Sequence, residues 1–301
     1  MISWLIIIII AYLFFGLSSL GDKLVLAGKP KPNSYTFYMG VFGIFIILLI
    51  PFIKFGFPNA TGLLWIILDA IVRVAGVYTM FVALKKFDVS RVMATIGATQ
   101  PIFIFVLTWI FWGPQIMSKI DILAFILLFL GSVIISIEKT PKTTSNYLKI
   151  TLFASLMFSF DYVFLKFVFL NQPFLQGVIW IMIFIFLFVL VFLISKKSRA
   201  EIFEKKMVLN RKTQIIFLTT QSFGSLGNFL QSFAISLSPV AFLAIINSLK
   251  GIQYIFIFLL TLFFTYFYPK VLKEEILPKI IIRKTISIVF IAVGLALLVI
   301  Y

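Results

Sequence analysis

Two stretches half a chain apart, QPIFIFVLTWIF from Gln100 to Phe111 and QYIFIFLLTLFF from Gln253 to Phe264, agree at eight of twelve positions. Each is an apolar run opened by a glutamine, a side chain that costs free energy among apolar groups unless it is hydrogen-bonded. A second echo supports the first. AYLFFGLSSLGDKLV, starting at Ala11, and ASLMFSFDYVFLKFV, starting at Ala154, keep Ala, Leu, Phe, Lys and Val in register. Apolar helices match easily by chance, so the shared lysines, Lys23 and Lys166, weigh more than the shared leucines. A weaker third echo joins Gly131 to Gly294.

Composition says what kind of chain repeats itself. Of 301 residues, 62% are hydrophobic and 12% are charged. Soluble domains average roughly 45–50% apolar and about 25% charged, so this composition suits lipid. Cysteine and histidine are absent. That removes disulfides, thiolate or imidazole metal sites and the usual near-neutral proton shuttle, and neither a metal site nor a cofactor is expected. The net charge of +16 would suit a nucleic-acid partner if it formed a patch. It is instead dispersed in short clusters between apolar runs, the pattern of membrane topology. The opening MISWLIIIII lacks a basic n-region and a small-residue cleavage site, and is expected to be a retained first helix.

A bilayer core takes about 20 apolar residues as a helix. Runs of that order fall near 2–21, 34–53, 63–84, 90–112, 121–138, 148–169, 174–195, 214–235, 240–267 and 284–301. The expected fold is therefore all-α and integral to the membrane, with ten transmembrane helices. The segments 196–213 and 268–283 are too charged to enter the bilayer and are expected at its surface as amphipathic pieces. The glutamine echo joins spans four and nine, and the lysine echo joins spans one and six. Two five-helix repeats follow, 1–138 and 147–301, joined by a polar connector at 139–146. Because five is odd, the second repeat enters the membrane inverted, the arrangement of many secondary transporters. Loops after the odd spans hold nearly all the lysines and arginines, which places those loops in the cytoplasm and both termini outside.

This pattern resembles the drug/metabolite transporter superfamily, specifically its EamA-like ten-helix branch. FFGLSSLGDKLVL in span one is similar to that family's small-residue stretch followed by a lysine. FVALKKFDVSRVMATIGATQPIFIF is similar to its passage across spans three and four, with Ala83, Leu84, Lys85 and Pro101 in matching places, and Gly131 stands near the end of span five. The resemblance implies a multi-pass transporter in the cytoplasmic membrane of a prokaryote, with a small molecule as its partner and no enzymatic activity.

Ionisable groups inside spans are costly and mark candidate sites. At 1.5 Å of rise per residue, Arg73 lies roughly 15 Å into span three and Lys250 roughly 15 Å into span nine. Asp69 shares a face with Arg73, and Asp161 sits past the centre of span six. The plain structural expectation pairs Asp69 with Arg73 and Asp161 with Lys250. In span eight, Gln221, Ser225, Asn228 and Ser232 form one polar stripe, matched in span three by Asp69, Arg73, Gly76 and Met80. Thr99, Gln100, Asn247 and Gln253 add hydrogen-bonding groups, and Tyr78 an aromatic wall. These residues are the candidate substrate-binding set. Lys23 and Lys166 are expected at opposite membrane faces, as snorkelling lysines or as gates at the two mouths.

Three functions compete. The leading one is a secondary transporter of a small metabolite, driven by a gradient or facilitative, since no nucleotide-binding loop is present. Any coupling proton would ride on Asp69, Asp161 or water. A lipid or lipid-carrier flippase shares the fold and differs in cargo. An integral-membrane enzyme acting on a lipid-linked substrate is the third, disfavoured by the missing histidine, cysteine and clustered acidic pair.

Overall fold

The computed structural model describes residues 3–25, 31–87, 89–113, 117–136, 145–203, 211–267 and 278–300. Among them the structure is all-helical: α1 Ser3–Val25, α2 Pro32–Gly43, α3 Ala60–Lys86, α4 Val89–Trp112, α5 Lys119–Ser136, α6 Ser145–Asn171, α7 Phe174–Leu190, α8 Lys196–Ile202, α9 Arg211–Leu237, α10 Leu243–Ser248, α11 Lys250–Phe267 and α12 Pro278–Ile300. A 3₁₀ segment, Ile44–Phe52, continues α2. Eight spans among the described residues are long and apolar enough to cross a membrane, so the chain is an integral membrane protein. The two of the ten expected spans outside that set are α5 and α9. The first opens with Lys119 and Asp121, which shortens its apolar length. The second carries Thr219, Thr220, Gln221, Ser222, Ser225 and Asn228 within its length.

Helix starts are fixed locally. Asn59 caps α3 by accepting the Gly62 N–H at 2.7 Å, and the other end of α3 carries Lys85 and Lys86, where cations suit the helix dipole. Before α5, Ser118 and Asp121 cap each other's backbone: Ser118 N–H donates to Asp121 Oδ2 at 2.9 Å and Asp121 N–H to Ser118 Oγ at 3.1 Å. This reciprocal box is a strong start signal.

The chain packs as two compact units. One holds Met1–Ala27, Thr108–Lys139 and Leu209–Tyr301; the other holds Gly28–Leu107 and Thr140–Val208. Each draws helices from both sequence halves, so packing units and expected repeats are different divisions of the chain. In the first unit α1 lies along α9, and α5 along α12. In the second, α3 lies along α6, and α7 packs on α2 and α3.

The α5–α12 pair explains the weak glycine echo. A Cβ on Gly131 would come within 2.7 Å of Ile291 Cγ1 and 3.0 Å of the Ser287 carbonyl, and one on Gly294 within 2.8 Å of Leu128 Cγ and 3.2 Å of the Ala124 carbonyl. Each glycine lets the other helix's backbone approach, the small-residue contact that drives association where lipid supplies no hydrophobic force.

In the second unit, the charged loop segment expected at the surface begins as α8, tied to the start of α2. Glu201 accepts from the Asn33 N–H at 3.0 Å and from Asn33 Nδ2 at 2.9 Å. Ser34 donates to the Glu201 carbonyl at 2.6 Å, and Tyr38 to the Ile202 carbonyl at 3.1 Å. The remainder of that expectation, 204–210, and the segment 268–277 lie outside the described residues.

Leucine in place of Gly131 must push α5 off α12. The expected loss is about 1–3 kcal/mol, the usual cost of overpacking, read as a lowered melting temperature of the purified protein in detergent. An unchanged melting temperature would show that this contact does not hold the pair.

Candidate functional site

The most polar point in the second unit lies between α3 and α6. Asp69 and Arg73 are one helical turn apart on α3, and α6 brings Asp161 against them. Arg73 Nε donates to Asp161 Oδ1 at 2.6 Å, and Arg73 Nη2 lies 3.4 Å from Asp69 Oδ2. Asp69 is 0% exposed, and neither of its carboxylate oxygens has a hydrogen-bond partner among the described residues. The expected pairing is corrected here. Asp161 takes Arg73, where the sequence assigned it to Lys250, because α6 runs directly along α3 and delivers the carboxylate to the guanidinium.

The matching place in the first unit is neutral. Phe158 of α6 packs over Gly76 of α3 at 3.2 Å from its Cβ position, and Phe15 of α1 packs over Gly227 of α9 at 3.0 Å. Phe15 and Phe158 are echo partners in the register that aligns Ala11 with Ala154. Counting from these contacts, Arg73 corresponds to Gly224, Asp161 to Ser18 and Asp69 to Thr220. Ser18 Oγ indeed stands 3.0 Å from the Gly224 Cβ position, and Thr220 is buried as Asp69 is. The polar stripes were aligned from sequence one residue away from this register, with Gln221 opposite Asp69. That choice followed polarity, whereas the helices follow the glycines. Gln221 and Asn228 are consequently exposed within their unit, and Asn228 Nδ2 donates to the Gly224 carbonyl at 3.0 Å.

The two opening glutamines do the same work. Gln100 Nε2 donates to the Phe158 carbonyl at 3.5 Å, and Gln253 Nε2 to the Phe15 carbonyl at 3.5 Å. Gln253 Nε2 also donates to Ser19 Oγ at 3.1 Å. Ser159 answers from α6, donating to the Gln100 carbonyl at 3.2 Å. Thr99, one residue before Gln100, donates to the Thr95 carbonyl at 2.8 Å and stands 2.8 Å from Ser155 Oγ.

Span nine, expected as one helix, is broken. A 3₁₀ turn, Val240–Phe242, leads into α10, which stops at Ser248, and α11 starts at Lys250. The Ile252 N–H reaches back only to Leu249, at 2.9 Å, which releases the Ser248 carbonyl to Ser132 of α5. Tyr12 of α1 donates to the Ile246 carbonyl at 2.6 Å. Lys250, half-buried, therefore begins a helix inside the membrane segment, with Asn247 Oδ1 and Tyr254 Oη buried nearby in sequence and without hydrogen-bond partners among the described residues. A lysine flanked by an unspent amide oxygen and an unspent phenol suits a polar ligand that both donates and accepts.

The remaining candidates are dispersed. Tyr78 packs against Phe192 with the rings tilted, 5.6 Å between centroids. Lys166 is 3% exposed, so it does not reach out of the helix as a snorkelling lysine would; it is held in the interior of its unit. Lys23 lies on α1, and its side chain is outside the described residues. No group of three acidic, histidine or cysteine side chains among the described residues could hold a metal. Ser132 was missed in sequence because it acts on a carbonyl far along the chain, which no local pattern announces.

Tyr12→Phe removes the donor to a buried carbonyl and leaves shape unchanged. A cost of about 1–3 kcal/mol is expected for that unsatisfied group, measured by thermal denaturation. Ser132→Ala should cost a similar amount. No destabilisation in either would mean that the break satisfies its own carbonyls.

Residues 2–137 match the EamA-like transporter family. A solved crystal structure aligns at 14% identity with a TM-score of 0.64, covering 98% of this chain and 96% of that one, a likeness of fold alone. Among curated proteins, no match was found. The match over residues 2–137 spans just under half of the chain, and by it the chain is similar to the EamA-like transporter family.

Proposed function

We propose that this chain is a secondary transporter of a small polar metabolite, built from two inverted five-helix repeats that exchange access between the two sides of the membrane. The observation that carries the repeat is the pair of glutamine bonds. Gln100 and Gln253 are echo partners, their acceptors Phe158 and Phe15 are echo partners, and both distances are 3.5 Å. In each bond the donor and the acceptor come from opposite sequence halves, as an exchange of equivalent helices between two repeats requires. The packing of α1 on α9 and of α6 on α3 obeys the same exchange.

Transport rather than catalysis follows from the chemistry available. The buried groups are charges and hydrogen-bonding side chains on membrane-spanning helices, suited to hold a ligand and to release it. Arg73 with Asp161, and separately Asn247, Lys250 and Gln253, are the groups proposed to meet cargo. Cations and carboxylates in comparable number favour a zwitterion or weak anion over a polyanion. The broken span nine adds support, since interrupted helices form the binding segments of many secondary transporters.

Uptake of labelled metabolites into sealed vesicles of purified protein tests this. Accumulation or facilitated entry above protein-free vesicles is expected for at least one amino-acid-like or weakly anionic compound. Lys250→Met should cut that uptake at least tenfold while the melting temperature stays at the wild-type value. Loss of stability in place of loss of transport would make Lys250 structural. No transport across a broad zwitterion and weak-anion panel would remove the proposal.

The proposed orientation, with both termini outside the cytoplasmic membrane and α8 on the cytoplasmic side, has its own test. The chain has no cysteine, so single cysteines report cleanly. One at Asn59 should react with an impermeant thiol reagent in intact cells, and one at Ser198 should not. The reverse pattern would invert the topology.

A further inference from the structure

Three charged groups meet between α3 and α6, and their charges do not balance. Asp69 and Asp161 share the single guanidinium of Arg73, which lies 2.6 Å from Asp161 and 3.4 Å from Asp69. The groups around them supply no second balancing cation among the described residues. On α6, Tyr162 acts on Arg73, and Lys166 lies more than a turn further along that helix. The helix α7, packed on α3, carries no ionisable side chain. α2 offers Tyr35 and Tyr38, of which Tyr38 is bonded to Ile202 and Tyr35 is stacked on Phe81. On α4, Arg91 lies over the ring of Tyr147, 3.8 Å from its centroid.

An extra buried negative charge costs several kcal/mol even after relaxation, and two carboxylates at one site do not both ionise readily. Asp69 carries the surplus. It is fully buried, its oxygens accept no hydrogen bond among the described residues beyond the 3.4 Å approach of Arg73, and Asp161 stands close by. A proton on Asp69 removes the surplus and turns an acceptor with no donor into a donor facing Asp161.

The plain alternative is that the charges only hold α3 to α6. The first unit argues against it. The corresponding place between α1 and α9 is filled by Ser18, Gly224 and Thr220, with the same phenylalanine-on-glycine packing and no charge at all. Neutral residues therefore suffice to pack this kind of helix pair.

We infer that Asp69, Arg73 and Asp161 form a binding site for one exchangeable proton, shared between the two carboxylates and held in place by the guanidinium. In the transporter proposed above this is the coupling-ion site, and that role rests on the transport reading. The proton site itself does not.

Infrared spectroscopy of the purified full-length protein in lipid nanodiscs reads a protonated carboxyl directly through its C=O stretch, with the proton as the only ligand. At neutral pH we expect a band that shifts on ¹³C-aspartate labelling and disappears as pH rises. Asp69→Asn and Asp161→Asn should each abolish it, because each leaves one carboxylate for one guanidinium. The chain has five aspartates, so the combined variant Asp22→Asn, Asp88→Asn and Asp121→Asn keeps only the pair in question and should retain the band whether or not the single variants fold. An aspartate-sensitive band missing from the wild type, lost in that combined variant, or surviving in a folded Asp69→Asn or Asp161→Asn protein would overturn the site. Transport without the band would leave a transporter with no proton here, and a band without transport would leave the proton site standing.

Discussion

A carbonyl inside a membrane that loses its helical donor has no water to turn to. Much of the described interior is organised by that constraint. Tyr12 and Ser132 serve the carbonyls released where span nine breaks, and Gln100 and Gln253 reach to carbonyls of neighbouring helices that already have helical partners. These side chains fix register as well as stability. A helix bound through one backbone atom of its neighbour cannot slide by a turn without leaving a donor unmet. Apolar packing would permit many such slides, since leucine and isoleucine faces are nearly interchangeable.

Glycine contacts set how close the helices come, and the polar contacts decide which residues then meet. At Gly76 and Gly227 the approach is the same, with a phenylalanine lying over each glycine. What differs is the chemistry one turn away, a guanidinium and two carboxylates in one pair and two hydroxyls and a glycine in the other. The shared geometry is packing, and the difference is the chemistry on which the proposed proton site rests.

The sequence made the helical class and most spans visible because lipid demands long apolar runs that few other environments tolerate. It also singled out the glutamines, whose cost in such runs has to be met somewhere. It could not name their acceptors, since backbone carbonyls carry no side-chain signature. The break before Lys250 was hidden for a related reason. Between Val240 and Phe267 there is no proline, as Pro239 precedes the run, and the single glycine at the break, Gly251, is a weak signal by itself; the carbonyls freed there are met by hydroxyls supplied from α1 and α5. Asp69 and Arg73 were paired correctly because they share one helix. Asp161 was assigned to the wrong cation because its partner depends on which helix α6 lies along, a tertiary fact. The register of α9 was misjudged by one residue because polarity is a louder signal than glycine, although glycine sets the approach.

The neutral counterpart of the charged cluster bears on the energetics of the proposed cycle. Two inverted halves with identical contacts would make the inward-open and outward-open arrangements mirror states of equal free energy. A carrier of that kind has no preferred resting side. Placing the guanidinium and both carboxylates in one helix pair, with serine, threonine and glycine in the other, removes the degeneracy. The two arrangements of the proposed cycle then differ in free energy, because only one of the two helix pairs carries charge. In that cycle a carrier assembled from near-copies thereby gains a preferred resting side, while the direction of net transport stays with the gradient.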